Sequence, residues 1–173
     1  MDAQYIVELL DKTKHYLQSF SCGVKELDVY IKERASQDIR RRISAVYVIH
    51  RLGKKEIEGY YSLNAYSIKS NELQDDLINK FPKYPFLPAT LIGRFAISRH
   101  MQGKNIGKYL LHDALIRSYK LSQKIGSIAV VVDAKNEKAK GFYEKFGFKQ
   151  FTKHPHRLYL LMNTIKNLIT GRE

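Results

Sequence analysis

The segment Gln102–Gly107 (QGKNIG) is the part of the chain whose residue types and spacing best suit the binding of an anion. It follows a predicted strand and opens a predicted helix, so the N–H groups of the turn and of the first helical turn can point into one concavity. The helix dipole and the charges of Lys104 and Lys108 would add to the attraction for a phosphate. The alternative is a plain strand-to-helix connection that needs glycine only for the turn.

Hydrophobic patterning predicts the elements that must position this turn. Strands are expected at 5–10, 45–50, 57–68, 90–98, 127–134, 148–151 and 157–162. Helices are expected at 21–41 with Ser21 as a candidate N-cap, from Ile106 onward and at 136–148, while 70–80 could hold a short helix and 81–90 reads as a proline-rich loop. The strand before the turn, the helix after it and the apolar run in 127–134 predict a parallel pair of strands.

These elements predict an α/β fold, a mixed central β-sheet flanked by helices, in which antiparallel hairpins lie on both sides of the parallel pair. A chain of 173 residues, 44% of them hydrophobic, is large enough to bury a full core. Because no Ser/Gly/Pro-rich linker interrupts the sequence, we expect residues 1–173 to form a single domain.

The charge balance is strongly basic, since 30 Lys and Arg against 17 Asp and Glu give a net charge of +13. Such a surface attracts polyanions without identifying them. The basic residues concentrate in 34–42, 99–124 and 149–157. The acidic start is unlike a signal peptide, and the longest apolar runs are too short to cross a bilayer. We therefore expect a cytoplasmic protein with no membrane partner.

The other residues capable of chemistry form no second pattern of equal weight. The six histidines show no metal-ligand spacing, and a single cysteine excludes a disulfide framework or a Cys-based zinc site. The run His154–His156 is expected to be a rigid turn, with the border of an RNA groove as the alternative. Cys22 is expected to be structural because it has no evident base partner. Glu58 is expected to be a surface charge, with a base acting through water as the alternative.

The phosphate-binding turn resembles motif A of the GCN5-related N-acetyltransferases (GNAT), in which Gln/Arg-x-x-Gly-x-Gly/Ala opens a long helix after a strand. Gln102 and Gly107 match, and Asn105 stands where the family has its middle glycine. Asparagine tolerates the left-handed conformation better than most residues, so the loop can keep its shape. A second family pattern, Asn-x-x-Ala-x-x-Phe-Tyr-x-x-x-Gly-Phe, is matched by Asn136, Ala139, Phe142, Tyr143, Gly147 and Phe148.

Nearly the whole chain resembles the acetyltransferase toxins of bacterial toxin–antitoxin pairs. Their early Phe-x-Cys-Gly…Leu-Asp segment is matched by Phe20, Cys22, Gly23, Leu27 and Asp28, and the segments GYYSLNAYSI, PFLPATLIGRFAI and HRLYLLM are also similar. The resemblance implies that the protein acetylates the α-amine of aminoacyl-tRNA and thereby stops translation. It also implies a small ribbon-helix-helix antitoxin as partner and a homodimer.

The resemblance assigns most of the site residues to acetyl-CoA, the implied cosubstrate. Cofactor contacts are implied for Phe95, Ala96, Ile97, Gln102, Gly103, Lys104, Asn105, Ile106, Gly107, Lys108, Asn136 and Phe142. Contacts to tRNA are expected for Arg40, Arg41, Arg42, Arg94 and Arg99. The backbone of 95–97 would pair with the pantetheine arm, and no metal is expected. A solvated helix face is the alternative for Arg40–Arg42 and for Asp28.

Tyr143 is the implied catalytic residue, because the family places a tyrosine near the sulfur of coenzyme A. An ordinary tyrosine has a pKa of about 10, close to that of an alkyl thiol, so it can protonate the departing thiolate. Packing on a helix is its alternative role. No residue stands out as a base, which favours an α-amine with a pKa of about 7.7–8.0, lowered further by esterification, over a lysine at about 10.4.

Two other functions stay open at this point. A GNAT enzyme acting on a protein N-terminus or a small amine would share the fold but would not need so basic a surface. A nucleic-acid-binding module that has lost catalysis is supported only by Asn105 in place of glycine, and the presence of Tyr143 argues against it.

Overall fold

The computed structural model describes residues 4–171 and contains a mixed sheet with flanking helices, as the sequence predicts. The strands are β1 (Tyr5–Leu9), β2 (Ala45–Arg51), β3 (Ile57–Lys69), β4 (Phe86–Ile97), β5 (Ala129–Asp133), β6 (Lys149–Gln150) and β7 (Arg157–Leu161). The helices are α1 (Lys25–Val29), α2 (Ala35–Arg40), α3 (Asp75–Ile78), α4 (Ile106–Ser122), α5 (Glu137–Glu144) and α6 (Met162–Thr170). Seven strands form one sheet in the order β1-β2-β3-β4-β5-β7-β6.

The first of two compact units comprises, among the described residues, 4–64 and 93–114. Strand β2 pairs antiparallel with β1 and with the first part of β3. Helices α1 and α2, joined by a π-helical turn at Tyr30–Arg34, contribute to the apolar core of this unit. The most deeply buried large and β-branched side chains of this core include Phe20, Tyr30, Ile31, Val46, Val48 and Tyr60. The aromatic side chains Phe20 and Tyr30 both pack on Tyr60, which fixes the helical segment against β3.

The second compact unit comprises 65–92 and 115–171 of the described chain. Here Thr90–Ile92 of β4 pair in parallel with Val130–Val132 of β5, which confirms the predicted parallel pair. Strand β5 also pairs antiparallel with β7, and its first four residues are buried. This burial explains why β5 is a continuous apolar run. The expectation of a single domain over 1–173 stays a prediction.

The first helix begins later than the sequence predicts. Val24, not Ser21, is its N-cap, and Val24 makes no side-chain capping bond. Residues 21–24 form a turn instead, in which Gly23 has a φ of +94° and the N–H of Cys22 donates to the carboxylate of Asp28 at 2.8 Å. This contact gives Asp28 a structural role in closing the turn.

Two further elements differ from the sequence prediction. Strand β4 begins at Phe86, so the proline-rich loop ends earlier than expected. Pro88 is tolerated there because its carbonyl accepts from the N–H of Ile128 (2.9 Å), a bond that needs no proline N–H. Strand β7 ends at Leu161, and Met162 begins a helix that the sequence analysis missed, α6, which ends at a left-handed Gly171.

Within 4–171, no helix combines the length and apolarity needed to span a membrane.

Candidate functional site

The predicted phosphate-binding turn lies in the first unit, between a 3₁₀ turn at Arg99–Met101 and helix α4. Gly103 and Asn105 both adopt left-handed backbone conformations, with φ values of 77° and 63°. Asn105 therefore adopts the left-handed conformation that the sequence analysis anticipates for an asparagine at this position. Left-handed asparagine is the least strained choice after glycine.

The first turn of α4 offers backbone donors to an anion. The first helical hydrogen bond runs from the N–H of Tyr109 to the carbonyl of Asn105 (3.2 Å), so the N–H groups of Ile106, Gly107 and Lys108 precede it. A Cβ added to Gly103 would meet nothing within 4 Å, which leaves open space beside the backbone. Because Lys108 and residues 102–105 of the turn are exposed as well, the local chemistry fits a pyrophosphate such as that of acetyl-CoA.

Substitutions of Asn105 test whether cofactor binding depends on the backbone conformation of this loop or on the side chain of Asn105. We expect Asn105→Gly to change the Kd for acetyl-CoA by less than about threefold or to tighten binding, because glycine adopts φ near 63° without strain. Asn105→Ala is the matched variant. A left-handed alanine costs about 1–2 kcal/mol, so we expect the free loop to leave this conformation, and restoring it on binding should weaken the affinity by about tenfold. Isothermal titration measures both, and equal affinities for the glycine and alanine variants would contradict the conformational role.

The side chain of Gln102 is engaged within the protein. Its Nε2 donates to the carbonyl of Ile97 at 3.0 Å and to the carbonyl of Cys22 at 2.9 Å. Gln102 thus fastens the turn to the end of β4 and to the segment before α1. The contacts of Gln102 with the cofactor and of Phe95–Ile97 with pantetheine stay predictions.

Tyr143 lies in the second unit, on helix α5, and is only 7% exposed. Asn136 is the N-cap of this helix, since its Oδ1 accepts from the N–H of Ala139 at 2.9 Å. The ring of Tyr143 packs edge-on against Phe142 and at a tilt against Phe148. Burial raises the pKa of Tyr143 well above its ordinary value, because desolvation penalises the phenolate. The hydroxyl therefore keeps its proton across the physiological pH range.

The arginines predicted to contact tRNA fall into two environments. Arg40–Arg42 are exposed at and just beyond the end of α2, and Arg42 has a left-handed φ of 59°. Arg99 is exposed too, but its guanidinium lies so close to Gly23 that an added Cβ would be 2.9 Å from Nε. Arg94 is only partly exposed, because its guanidinium stacks 3.6 Å from the ring centroid of Tyr30.

Glu58 is not the surface charge that the sequence predicted. It is 8% exposed, and its Oε2 accepts from the hydroxyl of Ser98 at 3.1 Å and lies 2.7 Å from Nε2 of His100. Its other oxygen lies 3.8 Å from Nε of Arg51. Three polar groups thus converge on this carboxylate, next to the phosphate-binding turn.

The structure agrees with a structural role for Cys22 and with a turn at His154–His156. Cys22 is buried, and desolvation raises the pKa of its thiol to about 11, which makes it a poor nucleophile. His154 lies 3.5 Å from the carboxylate of Glu72, and His156 lies 2.8 Å from that of Glu137. These ion-pair geometries give both histidines partners within the second unit.

A cluster that sequence spacing did not reveal joins β1, β2 and the turn that follows β1. The Oε1 atom of Glu8 lies 3.1 Å from Nε2 of both His15 and His50. The Nδ1 atom of His15 accepts from the N–H of Asp11, so its proton is on Nε2, where a metal would need a lone pair. The bonds from both imidazoles lower the pKa of Glu8. This arrangement suits a hydrogen-bonded cross-link better than a metal centre.

A mixed sheet in which β4 leads through a glycine-containing turn into α4, and then into a parallel β5, is the arrangement expected of a GNAT-type N-acetyltransferase. The profile of the acetyltransferase (GNAT) domain family matches residues 88–158. A tRNA-acetylating toxin of Mycobacterium tuberculosis is 32% identical over 151 residues, which cover 87% of this chain and 89% of that protein. A probable toxin TacT of Sinorhizobium fredii is 26% identical over 174 residues, 96% of each chain. This chain belongs to the family of GNAT acetyltransferases that includes the tRNA-acetylating toxins.

Solved structures agree with this assignment. AtaT in complex with acetyl-methionyl-tRNAfMet superposes with a TM-score of 0.89 at 26% identity, over 96% of this chain and 99% of AtaT. A tyrosine-to-phenylalanine mutant of AtaT, bound to the C-terminus of the antitoxin AtaR and to acetyl-CoA, gives a TM-score of 0.81 at 25% identity, over 96% and 98% of the two chains. The fold thus matches along almost its entire length.

Proposed function

We propose that this protein is an acetyl-CoA-dependent toxin that acetylates the α-amine of aminoacyl-tRNA in the cytoplasm and so blocks translation. The observation that carries the proposal is the turn at Gly103 and Asn105, whose left-handed residues precede the N–H groups of the first turn of α4. This geometry supports binding of the cofactor phosphates. The substrate is inferred from the relatives, which include a tRNA-acetylating toxin and AtaT in complex with acetyl-methionyl-tRNAfMet.

The residues that would hold acetyl-CoA are those of the turn and of the first turn of α4. The N–H groups of Ile106, Gly107 and Lys108 would donate to the pyrophosphate, and the charges of Lys104 and Lys108 would attract it. When bound, acetyl-CoA supplies an acetyl thioester that an amine can attack. The edge at Phe95–Ile97 is the proposed contact of the pantetheine arm.

Tyr143 is the proposed general acid because it holds a proton at Oη at every physiological pH. Burial raises the pKa of the phenol above its ordinary value, so the near match with an alkyl thiol that the sequence predicts is not present in the free protein. The leaving sulfur is the group that needs this proton. Esterification lowers the pKa of the α-amine below its ordinary value of about 7.7–8.0, so a substantial fraction of this amine is neutral near pH 7 and needs less help from a base than a lysine would. The proton that the nitrogen loses when the amide forms would pass to water.

Single-turnover acetylation of purified aminoacyl-tRNA tests the proposed function. We expect acetyl transfer from [¹⁴C]acetyl-CoA to the α-amine of at least one aminoacyl-tRNA, and no transfer to uncharged tRNA, which lacks that amine. Peptides with a free N-terminus and free amino acids serve as competing acceptors. Faster acetylation of either acceptor than of any aminoacyl-tRNA would replace the proposed substrate by a protein N-terminus or a small amine.

The proposed macromolecular partners are aminoacyl-tRNA and a small antitoxin of the ribbon-helix-helix type, and the proposed assembly is a homodimer. Support for the antitoxin comes from AtaT, which has been solved with the C-terminus of the antitoxin AtaR. The net charge of +13 supports a polyanionic partner and would also favour an acidic antitoxin segment. Co-expression with the antitoxin should relieve the growth arrest that the protein causes alone.

The salt dependence of tRNA binding tests the role of Arg40–Arg42. These three exposed arginines follow one another at the end of α2, where each could neutralise a phosphate. Each phosphate contact contributes about −0.7 to −0.9 to the slope of log affinity against log salt. We expect the triple alanine variant to flatten the slope by about 2 to 3 in filter-binding or anisotropy titrations.

The triple alanine variant at Lys12, Lys14 and Lys25 is the matched control, because it removes the same charge from other positions of the same unit. It should shift the slope much less. A slope that is unchanged by the loss of Arg40–Arg42 would assign these arginines to solvent or to the antitoxin.

A further inference from the structure

Glu58 connects β3 to the chain just before the phosphate-binding turn, both through its backbone carbonyl and through its side-chain carboxylate. Through its backbone, the carbonyl of Glu58 accepts from the N–H of Ser98 at 2.8 Å. Through its side chain, Oε2 accepts from the hydroxyl of the same Ser98 at 3.1 Å and lies 2.7 Å from Nε2 of His100. Ser98 and His100 are only four and two residues from Gln102, so these bonds fix the chain immediately before the turn.

The groups around Glu58 all suit a negatively charged acceptor. The hydroxyl of Ser98, Nε2 of His100 and Nε of Arg51 can each donate, and together they face both carboxylate oxygens. Arg51 also reaches the same turn directly, because its Nη2 lies 4.0 Å from the sulfur of the buried Met101. Hydrogen bonds to a charged, largely buried acceptor are among the stronger ones in proteins.

We propose that Glu58 is a positioning residue, which holds the 3₁₀ turn at Arg99–Met101 so that the following Gln102–Gly107 loop is ready to bind the phosphates of the cofactor. The inference rests on the proposed use of this loop by acetyl-CoA. The hydrogen bonds and ion pairs of Glu58 described above go to Ser98, His100 and Arg51, so its effect on the loop passes through the preceding turn. Its loss therefore weakens the recognition of phosphate and leaves the acetyl-transfer chemistry unchanged.

Glu58→Gln tests this role, because glutamine keeps the size of the side chain but replaces one acceptor oxygen by a donor. The probes are acetyl-CoA and S-acetylpantetheine, which carries the same thioester without the phosphates. We expect the Kd and KM for acetyl-CoA to rise by about tenfold to a hundredfold, the usual effect of losing a hydrogen bond to a charged group. The kcat with acetyl-CoA and the kcat/KM with S-acetylpantetheine should stay within about twofold of wild type.

Glu56→Gln is the matched control, since Glu56 is an exposed carboxylate two residues earlier in the chain. It should leave both substrates unaffected. His100→Gln is a second test that does not disturb the interior, because the side chain of His100 is 67% exposed. It removes one partner of Glu58 and should raise the KM for acetyl-CoA in the same direction by a smaller factor, even if Glu58→Gln fails to fold.

The outcomes distinguish the positioning role from the proposed function. Equal losses with acetyl-CoA and S-acetylpantetheine would overturn the positioning role, since a general disturbance affects both substrates. An unchanged KM for acetyl-CoA in both Glu58→Gln and His100→Gln would overturn it too. If wild-type protein binds no acetyl-CoA in isothermal titration, the proposed function itself fails, and the positioning role fails with it.

Discussion

Tyr143→Phe is expected to lower the turnover number by about 10²–10⁴, the usual contribution of general acid catalysis. The change removes one hydroxyl and keeps the ring that packs on Phe142 and Phe148, so the fold and the affinity for acetyl-CoA should be preserved. Single-turnover acetylation of aminoacyl-tRNA under saturating acetyl-CoA measures the effect. In cells, the variant should not arrest growth when it is expressed without antitoxin.

Tyr159→Phe is the matched control for this experiment. Tyr159 is also a buried tyrosine of the second unit, 4% exposed, and its ring packs on Phe151. It should turn over at nearly the wild-type rate. If Tyr143→Phe is as fast and as toxic as wild type, Tyr143 is a packing residue and the leaving thiolate takes its proton from water.

The pH profile gives an independent check on Tyr143. Because burial raises its pKa, the neutral phenol persists above pH 10, the ordinary pKa of tyrosine. Ionisation of Tyr143 should therefore not lower the turnover number of the wild type below pH 10. Any decrease that the wild type shows in this range should also appear in Tyr143→Phe. An alkaline decrease near pH 8 that is lost in this variant would contradict the burial of the hydroxyl.

Gly107→Glu is expected to abolish detectable binding of acetyl-CoA. Gly107 is the second residue of α4, and its N–H belongs to the donors that precede the first helical hydrogen bond. A carboxylate at this position would fill the concavity with a charge that repels phosphate. The same carboxylate interacts favourably with the helix dipole, so the variant should remain folded. Isothermal titration and a thermal unfolding curve measure the two effects separately.

Gly126→Glu is the control for the introduction of this charge. Gly126 is an exposed glycine after α4, and a Cβ there would meet nothing within 4 Å. It should bind acetyl-CoA with wild-type affinity. Retention of binding by Gly107→Glu would show that the phosphates lie elsewhere and would remove the main support for the proposed function.

The features that could be predicted from sequence are those that depend on neighbouring residues. The order β4, turn, α4 and β5 follows from local periodicity, and the parallel pairing follows from the handedness and length of the crossover. The left-handed state of Asn105 could be anticipated because conformational preference belongs to a single residue and its neighbours. For the same reason the burial of β5 could be inferred from its unbroken apolar run.

The tertiary structure decided the features that depend on residues far apart in the chain. Glu58 looked like a surface charge because its partners Ser98 and His100 are about 40 positions away. The stacking of Arg94 on Tyr30 likewise has no local signal, and it removes much of the exposure that a tRNA contact needs. The missed helix α6 begins where a strand-like apolar run ends, so its boundary at Met162 depends on packing.

The sequence by itself therefore determined the fold class and the position of the turn between β4 and α4, because both are encoded by short-range patterns of size, charge and backbone freedom. The tertiary structure decided which charged groups are buried and which partners they have. Burial raises the pKa of Tyr143 and removes Glu58 from solvent, and a long-range hydrogen bond holds the side chain of Gln102. These are sums of contacts over the whole packed unit, so no short stretch of sequence contains them.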